Sequence, residues 1–389
     1  MANAIFTSLP TTVFEEMSGL ARTLGAINLG QGFPDDPGPE PLRAKAADLV
    51  LNGYNQYPPM AGLPELRQAV ADHYNSTQGL DFESGEITVT SGATEALAAC
   101  FLGLIEPGDE VVVFQPFYDA YLPMIRRAGG VPKLVSLKPP HWRFDRAMLE
   151  AAFTPRTKLV VLNNPVNPTG VVLPDEDLAL LAEFCVAHDV TAVCDEVWEQ
   201  VVFEGARHRP LIAYPGMRER TVKIGSAGKM FGLTGWKVGF LCAAPGLTHA
   251  LSRTHQFLTF TTAPNLQAAV AWGLQNLDDW FRDMPRTLER ARDRLTEGLR
   301  REGFAVLPSA GTYFLNIDLP GSGIPEPDRD FCLRAVKDAG VAAIPVSAFY
   351  EADKVTSIAR LCFSKGDATL DEGVVRLAKA REGSRAEDR

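Results

Sequence analysis

Residues Ser226–Gly239 read SAGKMFGLTGWKVG; they follow one short apolar run, Val222–Gly225, and extend into a second, Val238–Cys242. Such runs are typical of buried strands, so Lys229 follows a predicted strand closely. A lysine amine beside small residues can form a Schiff base with a carbonyl compound, and Lys237, eight residues later, could help to bind a phosphate. Because Gly–Lys pairs are also common on protein surfaces, this stretch indicates a covalent site only if other strand ends supply matching groups.

Four other predicted strands end in groups of complementary chemistry. Asp195 ends the strand in TAVCDEVW, where its carboxylate could keep a pyridine nitrogen protonated. The amides of NNPVNPTG, residues 163–170, can donate to a phenolic oxygen. Ser91–Thr94 opens an apolar helix whose free N–H groups could bind an anion, and the Tyr118 ring could lie against a flat cofactor. Taken alone, the carboxylate and the aromatic ring are more typical of a surface carboxylate and a core aromatic, and the other two features also fit a turn and an ordinary helix start. Together the four features indicate one ligand site at the sheet edge.

Strand and helix patterns alternate through the middle of the chain, which predicts an α/β fold with a mostly parallel, seven-stranded sheet and helices on both faces. The predicted strands are Ile87–Thr90, Glu110–Phe114, Val131–Ser136, Lys158–Leu162, Thr191–Cys194, Val222–Gly225 and Val238–Cys242. The predicted helices between them include Ala93–Leu104, Tyr118–Ala128 and Pro174–His188.

A smaller α/β unit is predicted after the long charged helix that starts near Asp278. In this unit the strands Thr312–Asp318 and Ile358–Phe363 flank a helix at Asp328–Ala339. We therefore expect three parts: an N-terminal segment (1–44) that covers the cleft and packs with the small domain, a large domain (45–285) and a small C-terminal domain (286–389). The last ten residues, AREGSRAEDR, are expected to fray.

The composition of the 389-residue chain excludes several functional classes. Its net charge of −10 and its lack of a Lys/Arg run argue against nucleic-acid binding, which requires a basic face. The longest apolar stretch, Ala96–Ile105, is about half a membrane span and predicts a buried helix. The N-terminal MANAIFTSLP has no signal-peptide pattern, and six scattered cysteines without CxxC spacing predict reduced thiols and no metal site. We expect a cytoplasmic protein.

The ordered motifs of the chain resemble those of class I/II aminotransferases of the fold-type-I pyridoxal-5′-phosphate (PLP) superfamily. Within it the chain is similar to the branch that holds kynurenine–oxoglutarate (glutamine) transaminases, bacterial methionine aminotransferases and some succinyldiaminopimelate aminotransferases. The matching segments, in order from residue 27 to residue 365, are INLGQGFPD, NQYPPMAGLPELR, ITVTSGATEAL, QPFYDAY, NNPVNPTG, CDEVWE, SAGKMFGLTGWKVG, GTYFL, AAIPVSAFY and ARLCFSK. The resemblance implies the family's fold, a PLP cofactor and a homodimer with shared active sites.

The resemblance implies roles for the residues around the cofactor ring. Lys229 would form the Schiff base with PLP and then move the proton between the substrate α-carbon and the cofactor. Asp195 would pair with the pyridinium, Asn167 would donate to the ring oxygen O3′, and Tyr118 would stack on the ring. Trp198 stands where the family usually has the tyrosine of its DEVY motif, and an indole N–H is a longer, differently aimed donor than a phenol.

The resemblance also implies contacts to the phosphate and to the substrate. The residues expected at the phosphate are Ser226, Lys237, Ala93 and Thr94 through their N–H groups, and Tyr57 of the partner subunit. Arg360 would bind the substrate α-carboxylate as a bidentate fork, helped by the Gly32 backbone. The side-chain pocket would be lined by Phe14 and by Phe260 of the partner subunit.

The predicted reaction moves the amino group of a large neutral or aromatic L-amino acid, of the methionine, glutamine, phenylalanine or kynurenine type, to a 2-oxo acid. Two alternatives stay open. One is a β-lyase acting on cysteine S-conjugates, and the other is a succinyldiaminopimelate aminotransferase, for which the sequence shows no additional cationic pocket residues. The sensor half of a transcription regulator is not expected, because the family motif begins at Asn28 and leaves no room for a DNA-binding domain.

Overall fold

The structure of the chain is a computed structural model, which describes residues 3–386. Its strands are β1 (Ile27–Asn28), β2 (Ile87–Thr90), β3 (Glu110–Gln115), β4 (Val131–Ser136), β5 (Thr157–Asn163), β6 (Thr191–Asp195), β7 (Thr221–Ser226), β8 (Gly239–Cys242), β9 (Ala305–Val306), β10 (Phe314–Asp318), β11 (Val341–Ala342), β12 (Ile344–Pro345) and β13 (Ile358–Cys362). Its α-helices are α1 (Ala4–Thr7), α2 (Val13–Leu24), α3 (Glu40–Asn52), α4 (Pro64–Gln78), α5 (Gly92–Leu104), α6 (Tyr121–Arg127), α7 (Arg146–Ala152), α8 (Asp175–Ala187), α9 (Ala227–Met230), α10 (Pro245–Leu258), α11 (Pro264–Asn276), α12 (Asp278–Arg301), α13 (Asp328–Arg334) and α14 (Asp367–Ala386).

The large sheet has seven strands in the order β2-β8-β7-β6-β5-β3-β4. Strand β8 runs antiparallel to both of its neighbours, and all other neighbouring strands are parallel. Alternate residues pack on opposite faces: Val111 and Val113 of β3 join one hydrophobic cluster with α5, whereas Val112 and Phe114 join another with α8. Because helices cover both faces, the predicted mostly parallel α/β fold is confirmed.

The C-terminal region contains a four-stranded antiparallel sheet in the order β12-β13-β10-β9. Beside it, β1 pairs in parallel with β11, so the N-terminal segment lies against the C-terminal region. This pairing supports the proposed division of the chain into an N-terminal segment (1–44), a large domain (45–285) and a small domain (286–389). The boundaries themselves remain a proposal.

The prediction that the last ten residues fray is wrong over most of their length. Ala380–Ala386 continue helix α14 instead of fraying, and residues 387–389 lie outside the described part of the chain. The Ala380 side chain is buried, and the Arg381 guanidinium donates to the Ser322 carbonyl at 2.6 Å. These tertiary contacts hold the last turns of α14, and the charged sequence alone does not reveal them.

Two predicted elements start two or three residues later than their sequence patterns suggest. The strand predicted from Thr312 begins at Phe314, because Thr312 has a left-handed backbone with φ of 64°. The helix predicted from Tyr118 begins at Tyr121, after a turn in which the Phe117 N–H donates to the Phe349 carbonyl at 3.0 Å. In both places the chain is shaped by contacts with distant residues.

The cysteine thiols and the helices can be compared with the expectations from the sequence. All six cysteines are free and buried. Burial raises the pKa of the Cys185 thiol to about 12, so this thiol is protonated and unreactive at neutral pH. Within residues 3–386, no helix is both long enough and apolar enough to cross a membrane.

Candidate active site

A cavity of about 230 Å³ lies where strands β5, β6 and β7 end and helix α5 begins. Parallel strands bring their carboxyl ends to one edge of the sheet, so the loops that follow them meet there. The cavity is lined by nine of the residues predicted to bind the cofactor: Ala93, Thr94, Tyr118, Asn167, Asp195, Trp198, Ser226, Lys229 and Lys237. The sequence did not single out the lining residues Leu97, Val197 and Thr234.

Lys229 lies in the short helix α9, directly after β7. Its Nζ donates to the Tyr313 hydroxyl at 3.1 Å and lies 4.6 Å from the centre of the Trp198 ring. Burial lowers the pKa of Lys229 to about 8, although the nearby Asp195 carboxylate opposes the shift. An appreciable share of this lysine is therefore neutral near physiological pH, and the neutral amine is the nucleophile that Schiff-base formation needs.

Asp195 is the last residue of β6 and is buried in the cavity wall. Its Oδ2 accepts a hydrogen bond from the Tyr121 hydroxyl at 2.5 Å, whereas its Oδ1 is buried and has no hydrogen-bond partner within residues 3–386. Burial raises the pKa of Asp195, and the hydrogen bonds from Tyr121 and from the Val197 N–H lower it. A buried carboxylate oxygen without a donor is costly, and a protonated pyridine nitrogen would supply that donor.

The loop after β5 holds its amides in fixed directions. The Asn163 side chain donates to the Asp195 carbonyl at 2.9 Å and accepts from the Asn167 N–H at 2.7 Å. The Asn167 Oδ1 accepts from the Arg360 Nη1 at 2.9 Å, which leaves the Asn167 NH₂ group as a donor toward the cavity. This orientation suits the predicted donation by Asn167 to a phenolic oxygen. Asn163 was quoted in the motif but received no role from the sequence.

The start of helix α5 forms the anion-binding end of the cavity. Its N-cap residue, Ser91, makes no side-chain cap, and the residues of the first turn, Ala93 and Thr94, line the cavity. Gly239 lets strand β8 approach this turn, because a β-carbon there would lie 2.6 Å from the Gly92 carbonyl carbon and 2.8 Å from the Ala93 nitrogen. Free N–H groups at a helix start favour an anion, and Lys237 and Ser226 line the same end of the sheet.

Arg360 lies in β13, and its side chain is almost completely buried. Its Nη1 and Nη2 donate to the neutral oxygens of Asn167 and Gly30, at 2.9 and 2.8 Å, and its Nε is buried without a partner within residues 3–386. Burial lowers the pKa of Arg360 to about 10.

The Phe14 ring, predicted to line the substrate pocket, lies 5.4 Å from the Arg360 guanidinium carbon. Gly32, predicted to contact the substrate through its backbone, is linked to Lys229 by one side chain. The Tyr313 hydroxyl donates to the Gly32 carbonyl and accepts from the Lys229 Nζ.

Tyr57 and Phe260, which are predicted to reach a partner subunit, do not line the cavity of their own chain. Their side chains are 78% and 40% exposed, and their rings meet edge to face with centres 5.7 Å apart. The two aromatic residues therefore form one exposed patch outside the lining of the cavity of about 230 Å³.

A group of charged residues outside the cavity contains three possible metal ligands. Donor atoms of Glu196, Glu199 and His208 lie within 4.8 Å of one another. The fully buried Lys223 donates to both carboxylates. Burial acts to lower the pKa of Lys223, but the two carboxylates outweigh it and raise the pKa above its usual value. The ammonium thus compensates the glutamates, and Lys223 is a charged structural residue.

The family comparison agrees with this geometry. A family model described as "Aminotransferase class I and II" matches residues 25–377. The chain belongs to this family.

The chain is 44% identical over 384 residues to the probable N-succinyldiaminopimelate aminotransferase DapC of Mycobacterium tuberculosis, with 96% of each chain covered. It is 39% identical over 370 residues to the methionine aminotransferase of Escherichia coli, with 95% of this chain and 96% of that protein covered. A solved structure of the M. tuberculosis N-succinyldiaminopimelate aminotransferase matches with a TM-score of 0.95 at 43% identity, covering 98% of this chain and all of that one.

This aminotransferase uses PLP, as its family does, in the metabolism of amino acids. When bound, PLP supplies a conjugated ring that accepts the electrons of a substrate carbanion. The cavity residues fit this cofactor in three places. The unpartnered Oδ1 of Asp195 suits the ring nitrogen, the uncapped start of helix α5 with Lys237 suits the phosphate, and the Lys229 amine suits the aldehyde.

Proposed function

We propose that this aminotransferase takes N-succinyldiaminopimelate, or a similarly long acidic amino acid, as its amino donor and a 2-oxo acid as its acceptor. The support is the M. tuberculosis relative of that name, which shares more of its residues with this chain than the methionine aminotransferase does. This order reverses the preference drawn from the sequence, in which a large neutral or aromatic donor came first.

The observation that carries the amino-acid class is the buried guanidinium of Arg360. Its recorded hydrogen bonds go to the neutral oxygens of Asn167 and Gly30, and its Nε stays free within the described residues. A buried cation without a counter-ion is costly. An α-carboxylate, which amino donors and 2-oxo acceptors share, would supply the missing charge through a bidentate contact.

A large neutral or aromatic amino acid is the second candidate, because the surroundings of Arg360 are aromatic. The ring centres of Phe314, Phe349 and Phe14 lie 3.9, 5.1 and 5.4 Å from its guanidinium carbon. Such rings would pack well against an apolar or aromatic donor side chain. The methionine aminotransferase relative also favours a donor of this kind.

A donor panel on the PLP-loaded enzyme tests the proposal. Absorbance would follow the conversion of PLP to pyridoxamine phosphate with N-succinyldiaminopimelate, methionine, glutamine, phenylalanine and kynurenine. We expect kcat/KM for N-succinyldiaminopimelate to exceed that of the other donors by roughly tenfold or more, because binding of its remote groups contributes to transition-state stabilisation. The highest value for methionine or an aromatic donor would favour the second candidate instead. With a cysteine S-conjugate, release of ammonia and pyruvate without a new amino acid would indicate a β-lyase.

We also propose a homodimer in which the Tyr57–Phe260 patch meets the cavity of the other subunit. The support is the exposure of both rings together with that of apolar residues close to them in the sequence, among them Leu51 and Phe257 at 81% and 84%. Exposed apolar side chains grouped in this way mark interaction surfaces. Light scattering should give a mass near twice the 42.3 kDa of one chain. A fully active monomer would contradict the proposal.

A cytoplasmic location is part of the same proposal. Six buried cysteines without a disulfide suit a reducing compartment. Cell fractionation that recovered the enzyme outside the cytoplasm would contradict it.

A further inference from the structure

Lys229 stands between two cavities. Besides the cavity of about 230 Å³ that holds the predicted cofactor residues, a second cavity of about 510 Å³ has Lys229 in its wall. Tyr313 lines this second cavity but not the first, together with residues that include Trp280, Met284 and Lys365. A Lys229 amine that is to take the α-proton of a substrate would need a fixed position from which its Nζ can reach that proton.

The hydrogen bonds of Tyr313 run in one direction. Its hydroxyl donates to the Gly32 carbonyl at 2.7 Å and accepts from the Lys229 Nζ at 3.1 Å. Because the only proton of the hydroxyl is committed to Gly32, the lysine must be the donor in the second bond. The lone pair of a neutral Lys229 amine therefore points away from Tyr313 and remains available for chemistry. Burial keeps the pKa of Tyr313 well above its usual value, so the phenol stays protonated.

The position of Tyr313 is set by a strained backbone and by packing. The preceding residue, Thr312, has a φ of 64°, which a β-branched residue rarely adopts. Its N–H donates to the Val201 carbonyl at 2.8 Å, and its Oγ1 accepts from the Phe314 N–H at 3.1 Å, so the strained conformation is held from both sides. The Tyr313 ring meets the Trp198 ring edge to face at 4.4 Å. Strain of this kind is concentrated at functional sites.

We propose that Tyr313 is a positioning residue that holds the free Lys229 amine, directs its lone pair toward the cofactor cavity, and couples this orientation to the Gly32 segment. The inference rests on the proposed reaction only in that Lys229 supplies the reacting amine. Gly32 is the backbone expected to contact the substrate α-carboxylate, so one hydroxyl links the substrate-covering segment to the proton-transferring amine. Movement of the Gly32 carbonyl would free the hydroxyl proton to bind the lysine lone pair and block it.

The first test measures the lysine itself in the PLP-free protein. Trace acetylation with acetic anhydride, followed by mass spectrometry across a pH series, gives the apparent pKa of Lys229 relative to the exposed Lys158. The wild-type value should lie near the expected pKa of about 8. In Tyr313→Phe the pKa of Lys229 should fall by about one unit, because the hydroxyl oxygen that stabilises the ammonium is gone while its burial remains.

The second test measures proton transfer in the loaded enzyme. Tyr313→Phe should lower kcat by about tenfold or more. KM should change by less than kcat does, because the hydroxyl contacts the Lys229 amine directly and the substrate only through the Gly32 segment. The deuterium isotope effect on kcat with an α-deuterated donor should increase, since proton transfer becomes slower than the other steps. The matched control is Tyr350→Phe, which also removes a buried hydroxyl that donates to a backbone carbonyl, that of Leu137 at 2.6 Å. It should leave both the Lys229 pKa and the isotope effect unchanged.

A second variant breaks the same contact from the other side, in case Tyr313→Phe folds poorly. A β-carbon on Gly32 would lie 2.8 Å from the Phe314 ring. Because that ring is buried and its centre lies 3.9 Å from the Arg360 guanidinium carbon, we expect Gly32→Ala to shift the segment and its carbonyl more than the ring. The freed Tyr313 hydroxyl can then donate to Lys229, which stabilises the neutral amine and again lowers its pKa. Wild-type labelling profiles in both variants would overturn the inference. The labelling needs neither PLP nor substrate, so it tests the role of Tyr313 separately from the proposed donor. If no donor in the panel reacts, the labelling can still support the role of Tyr313. If a donor does react, wild-type labelling profiles would still contradict that role.

Discussion

Lys229→Ala should lower kcat by about four orders of magnitude or more, while binding of PLP remains detectable. Two functions of one amine are lost together: covalent attachment of the cofactor and proton transfer at the substrate α-carbon. The remaining contacts expected for PLP, at Asp195 and at the start of helix α5, do not involve this amine. Single-turnover absorbance measurements with the preferred donor give the rate, and equilibrium dialysis gives PLP binding.

The control for this prediction is the identity of the modified lysine. Borohydride reduction of the wild-type enzyme, followed by peptide mapping, should place phosphopyridoxyl on Lys229. Lys223 is fully buried and donates to Glu196 and Glu199, so its amine is held as an ammonium and cannot act as a nucleophile. Label on Lys223 or Lys237, or substantial turnover by Lys229→Ala, would contradict the assignment. Lys158→Ala, at an exposed position, should behave as wild type.

The large sheet could be predicted because its central strands are buried on both faces and read as short, almost continuous apolar runs. Val111–Phe114 in β3 and Leu159–Leu162 in β5 are examples in which every side chain is buried. The grouping of chemical residues at one edge could be predicted for a related reason. Consecutive parallel strands end on the same side, so residues that follow different strands meet without any need to know their side-chain contacts.

The residues that the sequence missed are those whose role depends on a distant partner. The Tyr121 hydroxyl binds Asp195, 74 residues away, and the Tyr313 hydroxyl binds Gly32, 281 residues away. Both tyrosines lie in quoted motifs, but the spacing within a motif does not show which residue a hydroxyl reaches. The last turns of helix α14 escaped prediction for the same reason, since the contact of Arg381 with Ser322 crosses 59 residues.

The amino donor was the hardest feature to predict, because the sequence does not show which charged side chains near the site already form ion pairs with one another. Lys365 lines the larger cavity and could have served a second substrate carboxylate. Its Nζ instead binds the Asp35 carboxylate at 2.7 Å and the Phe33 carbonyl at 3.1 Å. A donor whose second carboxylate bound Lys365 would have to displace Asp35 from it.

Arg360→Ala should lower kcat/KM for all amino acids and 2-oxo acids by about 30-fold to several thousand-fold. This range corresponds to roughly 2–5 kcal/mol, the usual cost of removing one member of a desolvated charge pair. A simple amine that shares the donor side chain but lacks the carboxylate should react as slowly with the variant as with the wild type. Comparing phenylalanine with 2-phenylethylamine, by the conversion of PLP to pyridoxamine phosphate, therefore isolates the contribution of the carboxylate contact.

Two further variants separate recognition from damage to the fold. Arg360→Lys keeps the charge but loses the planar fork that also donates to Asn167 and Gly30. Its kcat/KM for amino acids should therefore lie between the values of Arg360→Ala and the wild type. Arg294→Ala removes an exposed arginine paired with Asp371 and should leave the kinetics unchanged. Thermal unfolding checks that each variant is folded. If Arg360→Ala handled amino acids normally, the carboxylate would have to bind elsewhere, and the buried free Nε of Arg360 would need another explanation. If Arg360→Ala lowered kcat/KM equally for phenylalanine and for 2-phenylethylamine, Arg360 would support the cavity through Asn167 and would not bind the carboxylate.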